Sequence, residues 1–393
     1  MALSLVLLRL ATSRHPWPVH PDEEEFVAAF GFPHPYPVHA PGYPLWVAVG
    51  TLLHRLGCSP YVSYQAISVA ASCAAPVLLF LWLRPLAGGL LAWLVGAAFG
   101  VNAIWWFEGV TALNYAAACT VSLLVAFFAW NGIERRNRRD LQIAALVLAV
   151  AIGLRADLMM WAGPLLVWVA WRVSRRTGAV VALELAAAAT VWIVVGQRIY
   201  AGPDAPSLRH TFDVVWSTST FSRGLIDGLA RNGCKLGAYL LWGMGLGSLI
   251  AAWSITFAMR RPQMRNHAGA FVLVWIGPGL AFQLLIHITE LGHAVWYLPA
   301  IYFVMGLAVS KIPRRGVAIG VMLVVVAASV AQFCLYPWSA DVTGWRRVLN
   351  AKVAFASASG LRQIEQRARM HQPNDFWTVP ESTGAAGAGM PQR

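Results

Sequence analysis

The sequence predicts an all-α protein: a polytopic transmembrane helical bundle of about 11 spans, with one helix lying on the membrane surface in the first outer loop. Three observations predict it. The 393 residues are 58% hydrophobic and only 12% charged, whereas a soluble domain carries about 25% charged residues. Apolar runs recur along the chain, separated by short polar breaks. Arginine and lysine collect in those breaks, in Arg135, Arg136, Arg138 and Arg139, in Arg172, Arg175 and Arg176, in Arg260, Arg261 and Arg265, and in Lys311, Arg314 and Arg315. Such clusters mark cytoplasmic loops. The net charge of +13 therefore reads as topology, and no nucleic-acid partner is expected.

The nineteen tryptophans suit aromatic belts at headgroup level. Cys58, Cys73, Cys119, Cys234 and Cys334 have no paired spacing, so neither a disulfide framework nor a metal knuckle is readable. Most of them read as small buried hydrophobes.

Residues 1–12 are apolar but too few to cross a bilayer, which takes about 20 residues. They lack a basic leader and a cleavage site, so they read as the second half of a first span whose start lies upstream of Met1. The further expected spans are 61–83, 89–107, 113–131, 141–154, 157–171, 178–196, 236–259, 268–288, 297–312 and 316–336. Taken as one helix, 141–171 would be about 46 Å long with Arg155 and Asp157 at its middle. Two short helices turning at 153–157 avoid that. Residues 43–57 would reach only about 22 Å as a helix and end in His54 and Arg55, so this segment is expected to lie along the outer surface.

With that count 15–42, 108–112, 155–157, 197–235 and 289–296 face outward. Residues 1–336 then form one transmembrane domain, with 13–60 as its catalytic outer loop. Residues 337–393 form an outer tail, with an amphipathic surface helix over 343–370 and a disordered Gly/Ala-rich end from Ser382.

Acids beside a membrane are costly, and this reasoning selects the candidate site. Asp22 and Glu25 open the first outer loop. Their spacing also fits a capping box, with Asp22 as the cap of a helix running to about Phe30 and Glu25 at its third position. Solvated charge is the plain reading of Glu23 and Glu24. The following loop, 33–44, carries five prolines, His34, His39, Tyr36 and Tyr43. Prolines hold an irregular loop in one shape without needing backbone donors, and two histidines in such a loop are more often structural than metal-binding. Glu108 follows Trp105-Trp106-Phe107, and Glu290 and His293 sit at another outer end. Arg155 has Asp157 as its nearest charge partner. The count brings Asp22, Glu108, Arg155, Glu290 and His293 to one face.

Residues 22–46 resemble the first outer loop of GT-C superfamily glycosyltransferases, and within them the protein O-mannosyltransferase-like branch. The matching positions are Asp22, Glu25, Phe26, Ala29, His39, Pro41, Gly42, Tyr43, Pro44 and Leu45, while Ala40 stands where the branch has a proline. The resemblance implies an integral enzyme of a bacterial inner membrane that uses a polyprenyl-phosphate sugar as donor and a hydroxyl group as acceptor. It implies a catalytic acid at Asp22 with Glu25 as its partner. Arg155 would serve the phosphate, and Glu108, His39, Tyr43, Glu290 and His293 would bind substrate. A divalent cation, if one takes part, would be held by oxygens of Glu25 and Glu108. In the branch an acid often stands in the second outer loop where this chain has Ala112-Leu113-Asn114-Tyr115, so Glu108 either replaces it or the contact is lost. A catalytically inactive assembly partner stays open for that reason. A transporter or flippase of a lipid-linked substrate would show inverted repeats or matching broken helices in two halves, and neither is visible.

Labelling of single cysteines with a membrane-impermeant reagent should reach 15–42, 197–235 and 337 onward from outside, and 132–140, 172–177 and 260–267 only from the cytoplasm. Cytoplasmic labelling of 197–235 would overturn the shared face.

Overall fold

The structure, a computed structural model, describes residues 1–13, 21–28, 42–199, 208–217, 219–288 and 291–334. Among them every regular element is helical. In chain order these are α1 (Ala2–Thr12), α2 (Pro21–Ala28), α3 (Pro44–Arg55), α4 (Pro60–Ala87), α5 (Gly89–Gly100), α6 (Ala103–Glu108), α7 (Tyr115–Glu134), α8 (Arg138–Ala151), α9 (Leu158–Val173) and α10 (Arg175–Ile199). Then come α11 (Leu208–Ser217), α12 (Thr220–Arg223), α13 (Leu225–Met244), α14 (Gly247–Arg260), the single turn α15 (Pro262–Met264) and α16 (Ala270–Leu285). A 3-10 turn (Leu291–Tyr297) leads into α17 (Leu298–Val309), and α18 (Arg315–Cys334) follows.

By length and composition five of these helices can cross a membrane, or six if the bent pair α13–α14 is one span; α1, α5, α9 and α16 are shorter apolar helices. Residues 141–171 divide into α8 and α9 around the turn at 152–157, as their length and internal charges require. A helix also forms over the 43–57 segment. Twelve-residue α3 is about 18 Å long, exposes Leu52 and lays Trp46 on α4, where it stacks on Tyr64 at 5.2 Å.

Three expectations change. The first is the 236–259 span, which is two helices: α13 ends at Gly245 and α14 leaves at 113°. Gly245 sits at φ +50°, ψ −126°, a region essentially closed to side chains. The turned α13 packs against α6, the 291–297 turn and α16, while α14 runs along α17. The second is the 89–107 span, which breaks at Asn102, whose side chain caps α6 by accepting from the backbone N–H groups of Ile104 and Trp105. Satisfying those end donors is worth about 1 kcal/mol.

The third concerns tryptophan. Trp46, Trp105, Trp106, Trp161, Trp275 and Trp296 are fully buried, while Trp93, Trp171, Trp216 and Trp253 are exposed. Most of the buried rings pack on one another or on other aromatics, as in Trp161 on Trp296 at 5.0 Å and Trp106 on Phe333 at 4.3 Å. Lipid is as apolar as any core, so helices in a bilayer gain by close packing rather than by escape from water. Flat rings supply that packing.

Gly245→Ala should cost about 1–3 kcal/mol from backbone strain, with a further penalty because the new methyl would run into the Gln332 side chain. Thermal unfolding in detergent should show a lowered midpoint; an unchanged one would mean that the bend does not depend on glycine.

Candidate active site

The site grows from a loop, two turns and a short helix. Helix α2 begins at Pro21, so Asp22 is its second residue and not its cap. An acid in a first helical turn is still favoured by the helix dipole. Asp22 and Glu25 are partly exposed, whereas Glu23 and Phe26, also three residues apart, are fully buried. Three-residue spacing puts each pair on one side of the helix. Glu23, read from sequence as a solvated charge, accepts the Ala112 backbone N–H at 2.7 Å and the Tyr61 hydroxyl at 3.5 Å. It ties α2 to the segment between α6 and α7.

Phe26 meets the Tyr43 ring edge-on at 5.7 Å. Tyr43 itself is left-handed, at φ +48°, ψ +50°, after Gly42 at φ +104°. That backbone costs a non-glycine residue about 1–2 kcal/mol, and Pro44 then starts α3 at once. The Leu45 N–H donates to the Gly153 carbonyl at 2.8 Å, which fixes this corner on the 152–157 turn. The Tyr43 ring thus contacts both Phe26 and the Arg155 guanidinium.

Arg155 is the centre of the arrangement, and it is buried. Its Nε faces both oxygens of Asp157 at 2.9 and 3.0 Å, Nη1 donates to Asn114 Oδ1 at 2.8 Å, and Nη2 donates to the Tyr115 hydroxyl at 3.3 Å. The guanidinium carbon lies 4.1 Å from the Tyr115 ring centre and 5.7 Å from that of Tyr43, within range of cation–π attraction. Burial works against the charge, but Asp157, Tyr115 and Tyr43 together raise the pKa above the ordinary arginine value. The side chain is a permanent cation. By donor count, one N–H on each of Nη1 and Nη2 has no acceptor among the described residues.

Tyr115 continues the chain of contacts. Its ring meets the His293 ring at 5.8 Å, and His293 meets His287 at 5.6 Å. Gln283 donates to the His293 carbonyl at 2.9 Å and accepts from the Tyr297 hydroxyl at 2.8 Å, which holds the 291–297 turn on α16. Glu108 ends α6, is buried, and lies just before the Ala112 to Tyr115 stretch.

Of the residues selected from sequence, Tyr43, Arg155 and His293 fall in one connected set, joined to the helix of Asp22 and Glu25 through Phe26. His39 and Glu290 lie outside the described residues. Among the described residues no three His, Cys, Asp or Glu side chains group to hold a metal ion, and Glu25 and Glu108 form no such set. Sequence reasoning missed Glu23, Asn114 and Tyr115. The signal for Glu23 was its three-residue spacing from Phe26; the signal for the other two was their place in the second outer loop.

No protein-family profile matches the chain, and no curated protein sequence does. Solved structures do match. ArnT from Cupriavidus metallidurans aligns in its apo state at 16% identity and TM-score 0.62, over 93% of this chain and 71% of its own. The same protein bound to undecaprenyl phosphate aligns at 16% identity and TM-score 0.59, over 95% and 74%. The Archaeoglobus fulgidus oligosaccharyltransferase in complex with Zn and sulfate aligns at 12% identity and TM-score 0.52, over 92% of this chain and 53% of its own. This chain thus spans about half the length of that enzyme. This chain shares the fold of these membrane proteins.

Glu23→Leu should leave the Ala112 N–H buried without its carboxylate acceptor, at a cost of about 1–3 kcal/mol, and Glu23→Gln should recover most of the loss. Detergent melting curves of the two variants check this; equal melting of Glu23→Leu and wild type would remove Glu23 as an anchor.

Proposed function

We propose that this GT-C-fold membrane protein is a glycosyltransferase that moves a sugar from a polyprenyl-phosphate donor to a hydroxyl acceptor, on the outer face of a bacterial inner membrane. The observation that carries the reading is the Arg155 cradle: a buried, permanently charged guanidinium held from three sides, with one N–H on each Nη atom that has no acceptor among the described residues. Cations of this kind suit a phosphate, whose oxygens take parallel charge-assisted hydrogen bonds. The fold shared with an ArnT structure that holds undecaprenyl phosphate supports a polyprenyl-phosphate donor. The first-loop resemblance adds the protein O-mannosyltransferase-like branch and the acid at Asp22.

The step is a single displacement with inversion. The acceptor oxygen attacks the anomeric carbon as the bond from that carbon to the phosphate oxygen breaks. Polyprenyl phosphate leaves with the bonding electrons, and the acceptor proton passes to Asp22. General base catalysis of this sort contributes about 10² to 10⁴ in rate. Arg155 stabilises the phosphate charge that grows in the transition state. Asp157 and Asn114 hold the guanidinium in place, and the Tyr43 and Tyr115 rings flank it. Glu25 orients the base, and Glu108, His293, His39 and Glu290 bind the substrate. A divalent cation, where one binds, would supply further charge neutralisation at the phosphate.

The Arg155–Asp157 bridge at 2.9 Å also suits a purely structural arginine, as in an inactive assembly partner, and substitution separates the two. Asp22→Asn should fold normally, since loss of one partly exposed first-turn charge costs only about 0.3–1 kcal/mol, and should abolish transfer of radiolabel from a polyprenyl-phosphate sugar. Arg155→Lys should keep the fold and severely weaken donor use, with Asp157→Asn milder. Normal transfer by a folded Asp22→Asn protein would remove Asp22 from the mechanism. Losses in both Arg155→Lys and Asp157→Asn that track thermal stability alone would make Arg155 structural.

A further inference from the structure

Helices α11 to α13 carry chemistry that the transfer reaction does not use. Lys235, at 9% exposure, lies on the face of α13 that also buries Asn232 and Tyr239, yet it makes no hydrogen bond or ion pair among the described residues. Arg223 and Arg231 are close enough to repel it and each other. Neither arginine has a carboxylate partner among the described residues, although Asp227 stands one helical turn before Arg231 on α13. Three cations without a counter-ion among the described residues, one of them taken out of water, are costly unless something anionic joins them.

The cluster is held in place. Thr220 Oγ1 and Asn232 Nδ2 both donate to the Leu284 carbonyl at the end of α16, at 2.7 and 2.9 Å, and Arg231 Nη1 donates to Asn232 Oδ1 at 3.0 Å. Beside it runs an exposed aromatic ladder. Phe212 stacks on Trp216 at 5.9 Å, and Trp216 on Phe221 at 5.8 Å, with interplanar angles of 14° and 13°. All three rings are exposed, as are Leu225 and, at 82%, Ile226. Aromatic rings with a neighbouring row of cations match the headgroup layer of a bilayer, where the ring body meets acyl chains and the charges meet phosphate.

We propose that α11 to α13 form a binding site for an anionic phospholipid, with Arg223, Arg231 and Lys235 around the headgroup phosphate and the Phe212–Trp216–Phe221 ladder against the upper acyl chain. The turn at Gly245 makes this possible by laying α13 against α6 and the 291–297 turn. A lipid held there borders the layer that carries Tyr115 and His293, and the proposal stands whether or not the chain transfers sugar.

A benzophenone amino acid in place of Phe221 tests this in vesicles of phosphatidylcholine containing a minor fraction of phosphatidylglycerol. After illumination, cross-linked lipids are identified by mass spectrometry. The wild-type cluster should capture phosphatidylglycerol well above its mole fraction, and each of Lys235→Gln, Arg231→Gln and Arg223→Gln should lower that preference about fivefold, the factor that corresponds to about 1 kcal/mol per cation. Arg314→Gln, in a distant basic loop, should leave it unchanged. Capture in proportion to mole fraction would overturn the proposal, as would a preference that survives neutralisation of all three cations in a protein eluting as a folded monodisperse species. Abolition by millimolar inorganic phosphate would also overturn it, by assigning the cluster to a soluble phosphate. If the triple variant fails to fold, Lys235→Gln alone decides.

Discussion

A guanidinium cannot shed its proton to escape an apolar site, so a buried arginine obliges its surroundings to supply charge and acceptors. Arg155 draws that supply from three separate stretches of chain. Asp157 comes from its own turn, Asn114 and Tyr115 from the start of α7, and Tyr43 from the corner before α3. Each has a local structure that makes sense only because of the cation. Tyr43 accepts a left-handed backbone, and the 152–157 turn interrupts what would otherwise be one over-long helix.

Two other buried charges bind the surrounding layer through neutral groups as well. Glu23 takes a backbone N–H and a tyrosine hydroxyl. Arg9, wholly buried on α1, donates to Ser72 Oγ at 3.2 Å and to the Gly100 carbonyl at 2.6 Å, over the Trp106 ring. A charge held by backbone and hydroxyl groups is sensitive to small shifts, because such partners are directional. Such anchors define position more than they add stability. Glu23 therefore sets where α2 lies, and with it where Asp22 and Glu25 are presented.

The aromatic residues divide between two tasks. Rings such as Trp161 and Trp296 pack helices together in the interior, while Phe212, Trp216 and Phe221 stay on the outside. Composition alone cannot separate the two, since both environments reward a large flat apolar surface.

Much of the architecture was legible in the sequence for a simple reason: a bilayer demands apolar length, and length can be counted. The apolar runs, the arginine clusters between them, the break of 141–171 at Arg155 and the shortness of 43–57 all follow from one-dimensional spacing. So did Asp22, Glu25, Tyr43, Arg155 and His293 as residues worth watching, because charge or a special loop near lipid is conspicuous in a string of letters. Tertiary structure decided the rest. Whether Glu23 or Glu25 is buried depends on which side of α2 meets Ala112, a contact 89 residues away. The bend at Gly245 depends on a backbone angle that glycine permits but does not require. The Arg155–Tyr115–His293 series joins three distant segments, and such long-range juxtapositions arise only when helices choose their neighbours, a choice made by packing and by the need of buried charge for partners.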